Sequence, residues 1–459
     1  MSLSQPAQSG LHRSLGLPQL VIMGIIMIQP TAPMPLFGVV FNEAQGHVVS
    51  AVLVAMVAML FTAISYGRMA RAYPSAGSAY TYVGQELHPA AGFLTGWCML
   101  MDYVLNPVIC TIWCSKAAGN VLPSVPYALW AIFFAGLFTI LNIRKIEASA
   151  KTNSLLAAAM GVVIVAMLVA SAKFFPGADL AKPFYDPNTF TWNTFSTGTS
   201  LAVLTYIGFD GISTLSEEVK DPRRNILWGT VLTCLIIGVL SAIESYAAQI
   251  VWPTGLAFPD VDTAYVHVAG RAGGPWLFQA VNLTLLVATI GSGSGAVMAG
   301  ARLMYGMGRD HALPQRFFGD LHAQTLVPRN NVLLIGALSL AGAFAMSYQL
   351  GAELLNFGAF IGFMGVNLSA VLRYYVRAER KQLTHLVPPV LGFLICLYLW
   401  ISLSPFAKMA GGGWLVVGLV AYTRLYANAK HHAASSRSGS ADDDAGGDGS
   451  SGSGGKATL

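Results

Sequence analysis

Residues 28–35 read Ile28-Gln29-Pro30-Thr31-Ala32-Pro33-Met34-Pro35, inside an apolar run that begins near Leu17. A helix in lipid must bond all its own peptide groups, because no water is there to replace them. Proline has no amide to donate, and it pushes the residue before it out of helical geometry. One proline would mean a kink. Three prolines within six residues predict an unwound stretch at membrane depth. A second interruption lies at Tyr206-Ile207-Gly208-Phe209-Asp210-Gly211-Ile212-Ser213, where two glycines flank an acid inside another apolar run. Glycine permits unwinding and close approach of a ligand.

Around these two breaks the chain is overwhelmingly apolar. Its 459 residues are 54% hydrophobic and 10% charged. A soluble domain carries about 25% charged residues. Such a composition cannot clothe a globule in water, so its outside is expected to face lipid. Runs of about 20 apolar residues each cross a bilayer. About twelve fit, at approximately 17–41, 47–67, 89–121, 127–143, 149–172, 195–218, 225–252, 274–306, 331–347, 351–376, 386–404 and 408–426. The fold expected is all-α and integral to the membrane. The connectors near 173–193 and 253–273 read as loops too short to be domains. No phosphate-cradling G-x-x-x-x-G-K-[ST] loop is present, which argues against an ATP-driven machine. The first apolar run reads as an uncleaved anchor rather than a signal peptide.

Lys and Arg divide unevenly between alternate connectors, with 21 on one side, 4 on the other and Lys116 inside the third span. Basic residues stay on the cytoplasmic side. Both termini are therefore expected in the cytoplasm, with the chain multi-pass in the inner (plasma) membrane. Residues 1–16 form a cytoplasmic segment, and 427–459, rich in Ser, Gly and Asp, are expected to be a disordered tail. The five cysteines lie in apolar segments and read as packing residues rather than a disulfide framework.

The first and sixth spans are corresponding members of two five-span halves. Interrupted spans at matching positions point to a carrier built from inverted repeats, with repeat one at about 17–172, repeat two at about 195–376 and extra helices at about 386–426. Two unrelated kinks are the plainer alternative. Free amides at a half-helix start attract carboxylates, and free carbonyls attract cations. An amino acid or an amine offers such groups. Candidate contacts are Gln29, Pro30, Thr31, Ala32 and Pro33 at the first break, and Tyr206, Ile207, Gly208, Phe209, Asp210 and Gly211 at the second. Asp102 lies about 20 Å into the third span at 1.5 Å per residue, followed by Tyr103. It either holds an ammonium group or proton, or serves as a structural hydrogen-bond acceptor. Ser292, in Gly291-Ser292-Gly293-Ser294-Gly295, either lines a pathway or belongs to a tightly packed small-residue seam. Asn356 has the same two readings. Glu244 either relays protons or makes an internal hydrogen bond. Lys116 is placed to snorkel outward. The cluster from Glu217 to Arg224 is expected to form an interfacial ion-pair set. No metal or cofactor is expected, because the nine histidines lie in loops, at span ends or in the tail.

Several long stretches carry a family resemblance. They are LFTAISYGRMARAYPSAGSAYTY (60–82), TYIGFDGISTLSEEVKDPRRN (205–225), ARLMYGMGRDHALPQRFFG (301–319) and LLNFGAFIGFMGVNLS (354–369). The chain resembles the amino acid–polyamine–organocation superfamily, and within it the putrescine-importer-like permeases. That resemblance implies a LeuT-like fold of five plus five inverted spans with two added helices. It also implies alternating access, import coupled to protons or exchange, and substrate contacts from spans one, three, six, eight and ten. The chain differs from polyamine importers at Pro35, where they carry an acid, and it has no lysine at 154–172. The expected partners are a small amino acid or amine and the bilayer, with no nucleic acid. A channel or non-transporting sensor on the same scaffold is the competing reading. An enzyme would need clustered ligands or a nucleophile facing a base, and the sequence shows neither.

Overall fold

A computed structural model describes residues 15–74, 78–145, 150–309 and 313–424, except the side chains of Ala150, Lys151, Asn153, Thr214 and Glu217. The expectations for the N-terminal segment and the acidic tail fall almost wholly outside these residues. In chain order the α-helices are α1 (Leu17–Ile28), α2 (Pro33–Glu43), α3 (Val48–Ala72), α4 (Ser78–Glu86), α5 (Pro89–Val121), α6 (Tyr127–Ile143), α7 (Ala150–Ser171), α8 (Trp192–Ala202), α9 (Pro222–Val251), α10 (Ala264–Arg309), α11 (Gln315–Phe318), α12 (Arg329–Ala345), α13 (Tyr348–Val371), α14 (Leu383–Ile401) and α15 (Pro405–Arg424). Eight are long and apolar enough to cross a bilayer singly. α1 and α2 together make one further span, bent by 57°. α6 and α12 are apolar and 17 residues long, the lower limit for crossing. The remaining segment, 192–217, is helical but broken. Leu155, Val162, Val165 and Val169 of α7 are 60–72% exposed. An apolar stripe of that kind is stable only against lipid or another apolar partner.

Both predicted breaks are present. At the first, α1 stops at Ile28, and Gln29 takes φ 74 and ψ 129, a backbone that L residues rarely adopt. Pro33 then starts α2, where its missing amide costs nothing. At the second, α8 tightens into a 3-10 turn over Val203–Tyr206, Ile207 is extended, and Gly208 has φ 116. Only glycine holds that last value without strain. A second 3-10 segment, Phe209–Glu217, completes the span.

The broken spans lie side by side and cross-paired. α1 packs on Phe209–Glu217, while α2 packs on α8. First half against second half means that the two run antiparallel, as an inverted relationship requires. A Cβ placed on Gly208 would sit 3.4 Å from Ile28, so the breaks meet. The principal seams around them are α3 on α9, α13 on α5 and α10 on α5.

Two expectations about connectors need correction. Residues 264–273 form a helical arm rather than a loop, and α10 continues from it through Gly274 (φ 75) and Pro275. The arm buries Tyr265, Val266, Val268, Ala269 and Ala272, so its apolar face has a partner that a short window does not reveal. Residues 78–86 form α4, which buries Tyr82 and Val83. Its last residue, Glu86, is buried and bonded to Tyr73 and Arg373, each at 2.7 Å, and also pairs with Arg377. α4 is thereby tied to the end of the tenth span.

Candidate functional site

The two breaks open onto one cavity of about 1000 Å³, walled by α5, α10 and the facing ends of α6 and α7. Gln29, Pro30, Ala32, Asp102, Tyr103, Ile207, Gly208, Asp210, Gly211 and Ser292 all line it. One end of the cavity reaches Lys145 and Arg302. Arg302 stands ten residues beyond Ser292 along α10, about 15 Å at 1.5 Å per residue. Towards the other end stand Trp113 and Tyr348.

The remaining candidates do not reach the cavity. Thr31 and Pro33 are buried in protein. Tyr206 is fully buried and donates to the Val52 carbonyl at 2.8 Å, which pins the turn before the break to α3. Phe209 is packed edge-on against Tyr66 and beside Phe363. Asn356 is wholly buried and donates to the Ser200 carbonyl at 2.8 Å. It satisfies a carbonyl on α8 as that helix tightens toward the break. An Asn356→Leu variant is expected to lose about 1–3 kcal/mol of stability, through a carbonyl left unbonded in the protein interior. Thermal unfolding in detergent measures this, and an unchanged midpoint would contradict the role.

Within the cavity, Asp210 and Asp102 behave differently. Asp210 Oδ1 accepts the Gly208 amide at 3.3 Å, and the amides of Asp210 and Gly211 also bear on its carboxylate. Asp210 thus caps the second half-helix from within. Asp102, on unbroken α5, lies within electrostatic reach of Asp210. Gln29 lines the wall while its amide donates to the Ala288 carbonyl at 3.1 Å, which ties the first break to α10. The Gly-Ser-Gly-Ser-Gly stretch serves both of its readings. Ser292, Ser294, Gly291 and Gly295 face the cavity, while a Cβ on Gly293 would press on Cys110 and Phe138 at 2.9 Å.

Three further residues join the wall, among them Cys110, which the sequence reads as a packing residue. Asn142 Nδ2 donates to both oxygens of Ser294 at 3.0 and 3.1 Å. Asn106 accepts from the Cys110 thiol at 3.2 Å. Asn106 and Cys110 fall four and eight residues after Asp102, so helical spacing from that acid would have found both.

Lys116 does not snorkel to water. It pairs with Asp260 at 3.2 Å and Asp262 at 2.7 Å. In the cluster from Glu217 to Arg224, the backbone forms a short bridge with Leu15: Leu15 N donates to Glu218 O at 3.2 Å, and Lys220 N to Leu15 O at 2.8 Å.

Paired broken spans around a central cavity into which two acids, amides and hydroxyls project define a multi-pass membrane permease. The profile of the family described as Amino acid permease matches residues 22–435, and the chain belongs to that family. It is 33% identical over 427 residues to the low-affinity putrescine importer PlaP of Escherichia coli (strain K12), covering 89% of this chain and 93% of that protein. It is 27% identical over 406 residues to the branched-chain amino acid permease BcaP of Lactococcus lactis subsp. cremoris (strain MG1363), covering 82% and 86%. The vacuolar cationic amino acid transporter 4 of Arabidopsis thaliana is 26% identical over 409 residues, covering 82% of this chain and 65% of that protein. These relatives are transporters, and the chain is a membrane transporter rather than an enzyme.

Proposed function

We propose that the chain is a secondary carrier that imports a small organic cation, an amine with one or two ammonium groups, by alternating access. One observation supports an amine over an amino acid. The amide that a substrate carboxylate would seek at the second break, that of Gly208, is taken by Asp210. The first break is equally poor in donors. Pro30 and Pro33 have no amide, and the Ala32 amide donates to Gln29 O at 3.1 Å. The charged groups that line the cavity beside the breaks are carboxylates, Asp102 and Asp210, and carboxylate oxygen binds cations. Asp102 and Asp210 supply two carboxylates on one cavity, the arrangement a diamine needs despite Pro35 in the first span. The E. coli relative is named for putrescine, a diamine.

The membrane is the bacterial inner membrane, with both termini in the cytoplasm by the distribution of Lys and Arg. The end at Lys145 and Arg302 is then the cytoplasmic mouth, and the conformation described is open inward. The binding residues are Asp102, Asp210, Tyr103, Gln29 and Ser292. Thermal shift of the purified protein tests this, because a ligand that binds the folded state alone adds about 2.7 kcal/mol at a hundred times its Kd. Putrescine and simple alkyl monoamines are expected to raise the midpoint, and leucine to leave it in place. Counterflow of labelled putrescine in proteoliposomes separates a carrier from a channel or sensor. A shift with leucine and none with any amine would overturn the assignment.

A further inference from the structure

Residues 175–191 lead from the fifth span into α8, at the end of the molecule opposite Lys145. This loop is fastened to the corner between α2 and α3. Ser50 Oγ donates to Phe184 O at 2.7 Å, and Thr189 Oγ1 to Gln45 O at 3.2 Å. A further fastening is His47, the residue before α3. It is 1% exposed, with its ring beside Tyr185 and edge-on to Phe190.

The two ring nitrogens of His47 have opposite roles. Nδ1 lies 2.8 Å from the carbonyl of Ala44, the residue that ends α2. A carbonyl only accepts, so Nδ1 carries a proton. The Asp186 amide donates to Nε2 at 3.0 Å. An amide only donates, so Nε2 carries none. The ring is therefore neutral. A second proton would set N–H against N–H, and the Asp186 amide would have to leave. That residue is the root of its turn. Asp186 O accepts the Thr189 amide at 3.2 Å and the Phe190 amide at 3.0 Å. Its Oδ1 accepts from the amide and the side chain of Asn188, each at 3.0 Å.

The Asn188 amide holds the Asp186 carboxyl below its ordinary value against the pull of burial, helped by the Asn188 side chain and Lys182. That carboxylate is the counter-charge within reach of a charged His47, and it belongs to the residue whose amide must move. Lys182 pairs with it at 3.8 Å. Elsewhere on the loop, Asp179 accepts the Ala181 amide, and Lys173 lies over Phe174. Glu43 of α2 is held by Gln349. On α9, Tyr246 donates to Leu180 O at 3.2 Å, and Glu244 is buried without a hydrogen-bond partner among the described residues. Asp260 and Asp262, in the connector that meets Gly46 through Thr254, pair with Lys116. The arm at 264–273 brings Tyr265, against Phe37, and His267, against Phe278. α8 and the first four turns of α3 carry no titratable side chain.

We propose that His47 is an acid-released latch: neutral, it holds the loop on the α2–α3 corner, and doubly protonated it lets the loop go. The corner ends α2 and the loop leads into α8, one half of each broken span. Release therefore loosens the pair of half-helices that must part for the cavity to open at this end. That consequence, and the outer medium as the source of the proton, rest on the carrier and the orientation given above. The latch itself does not.

Deuterium uptake by the peptide covering 184–190 tests it, in the full-length protein in nanodiscs, for wild type and His47→Gln. Glutamine offers one donor and one acceptor at a similar spacing and takes no proton. A ring freed to water takes its second proton at about pH 6.5. That proton binds only the released form, so at about pH 5.5 it favours release by about tenfold. After correction for intrinsic exchange, wild type should exchange about tenfold faster at about pH 5.5 than at about pH 7.5. His47→Gln should exchange at one rate at both. A flat wild-type profile, or the same rise in the Gln variant, would overturn the proposal. If the variant does not fold, the onset in wild type decides. A rise that begins at about pH 6.5 supports the latch, and one that begins only at about pH 4, where carboxylates take protons, overturns it. Both faces of a nanodisc meet the buffer, so neither orientation nor substrate enters the result. Failure of putrescine to bind would strike at the amine-carrier reading and leave the latch standing.

Discussion

Asp102→Asn is expected to weaken amine binding by roughly 30-fold or more, because stripping one partner from a desolvated charge pair costs about 2–5 kcal/mol. The size of the effect follows from geometry. Asp102 sits on the unbroken wall of the cavity that Asp210 also lines. The amide of Asn keeps the volume and removes the charge, so folding should survive while the cation loses its counter-ion. Asp210 offers an internal comparison. Asp210→Asn keeps an oxygen for the Gly208 amide and loses only charge, whereas Asp210→Ala loses both. The Asn variant should bind diamines poorly with a normal melting midpoint. The Ala variant should also lose stability, by about 0.5–2 kcal/mol, the usual cost of removing a cap. Titration calorimetry with putrescine and with a monoamine of similar length separates the two acids. A diamine should feel both Asn variants. Unchanged putrescine affinity in both would remove the cation site altogether.

The breaks were legible because proline and glycine act on the backbone itself. Pro33 and Pro35 fit the first turn of α2, where an amide has no helical partner to lose, but together with Pro30 they prevent α1 from running on into it, and Gly208 marks the position in span six that takes φ 116. The meeting of the two breaks was legible only through the expected correspondence of spans one and six. What lines the cavity was less readable. Tyr206 and Phe209 flank the second break in sequence and Asn356 stands on α13, but all three point into protein and hold the broken ends in place. A residue beside an unwound turn can face either way, and no periodicity applies where the helix has stopped. Asp102 was found because an acid deep in an apolar run is costly. Lys116 was misread for a related reason. Its partners, Asp260 and Asp262, lie 144 and 146 positions away in a connector, and pairing across such a distance leaves no local trace. The helical arm at 264–273 was hidden likewise, because a buried helix of fewer than about three turns, with two glycines and an arginine in it, resembles a loop.

Lys116→Ala is expected to raise the population open on the opposite side by roughly tenfold, the equivalent of about 1.4 kcal/mol. The Lys116 side chain is about a third exposed, and its ammonium touches two carboxylates at once. The Asp262 amide donates to Asp260 Oδ1 at 2.8 Å, which sets both acids toward the lysine. Burial lifts the Asp262 carboxyl above its ordinary value, and Lys116 opposes that lift. Without the lysine, two like charges remain on a half-buried loop, and they regain water only if the loop rises. An exposed pair would be worth about 0–1 kcal/mol; three groups held in one geometry justify the upper part of that range or slightly more. The loop is also held by shape, since a Cβ on Gly38 of α2 would collide with the Val261 carbonyl. Gly38→Val should therefore loosen the same loop without any change of charge. Cys110 reports on both, because it lines the cavity on the same helix as Lys116, six residues before it. With the other four cysteines replaced, a membrane-impermeant maleimide applied from the loop side should label Cys110 about ten times faster in either variant. Exchanging the charges, Lys116→Asp with Asp262→Lys, should bring the rate back toward wild type. Labelling that stays slow in both single variants would mean that neither the ion pair nor the Gly38 contact holds that side shut.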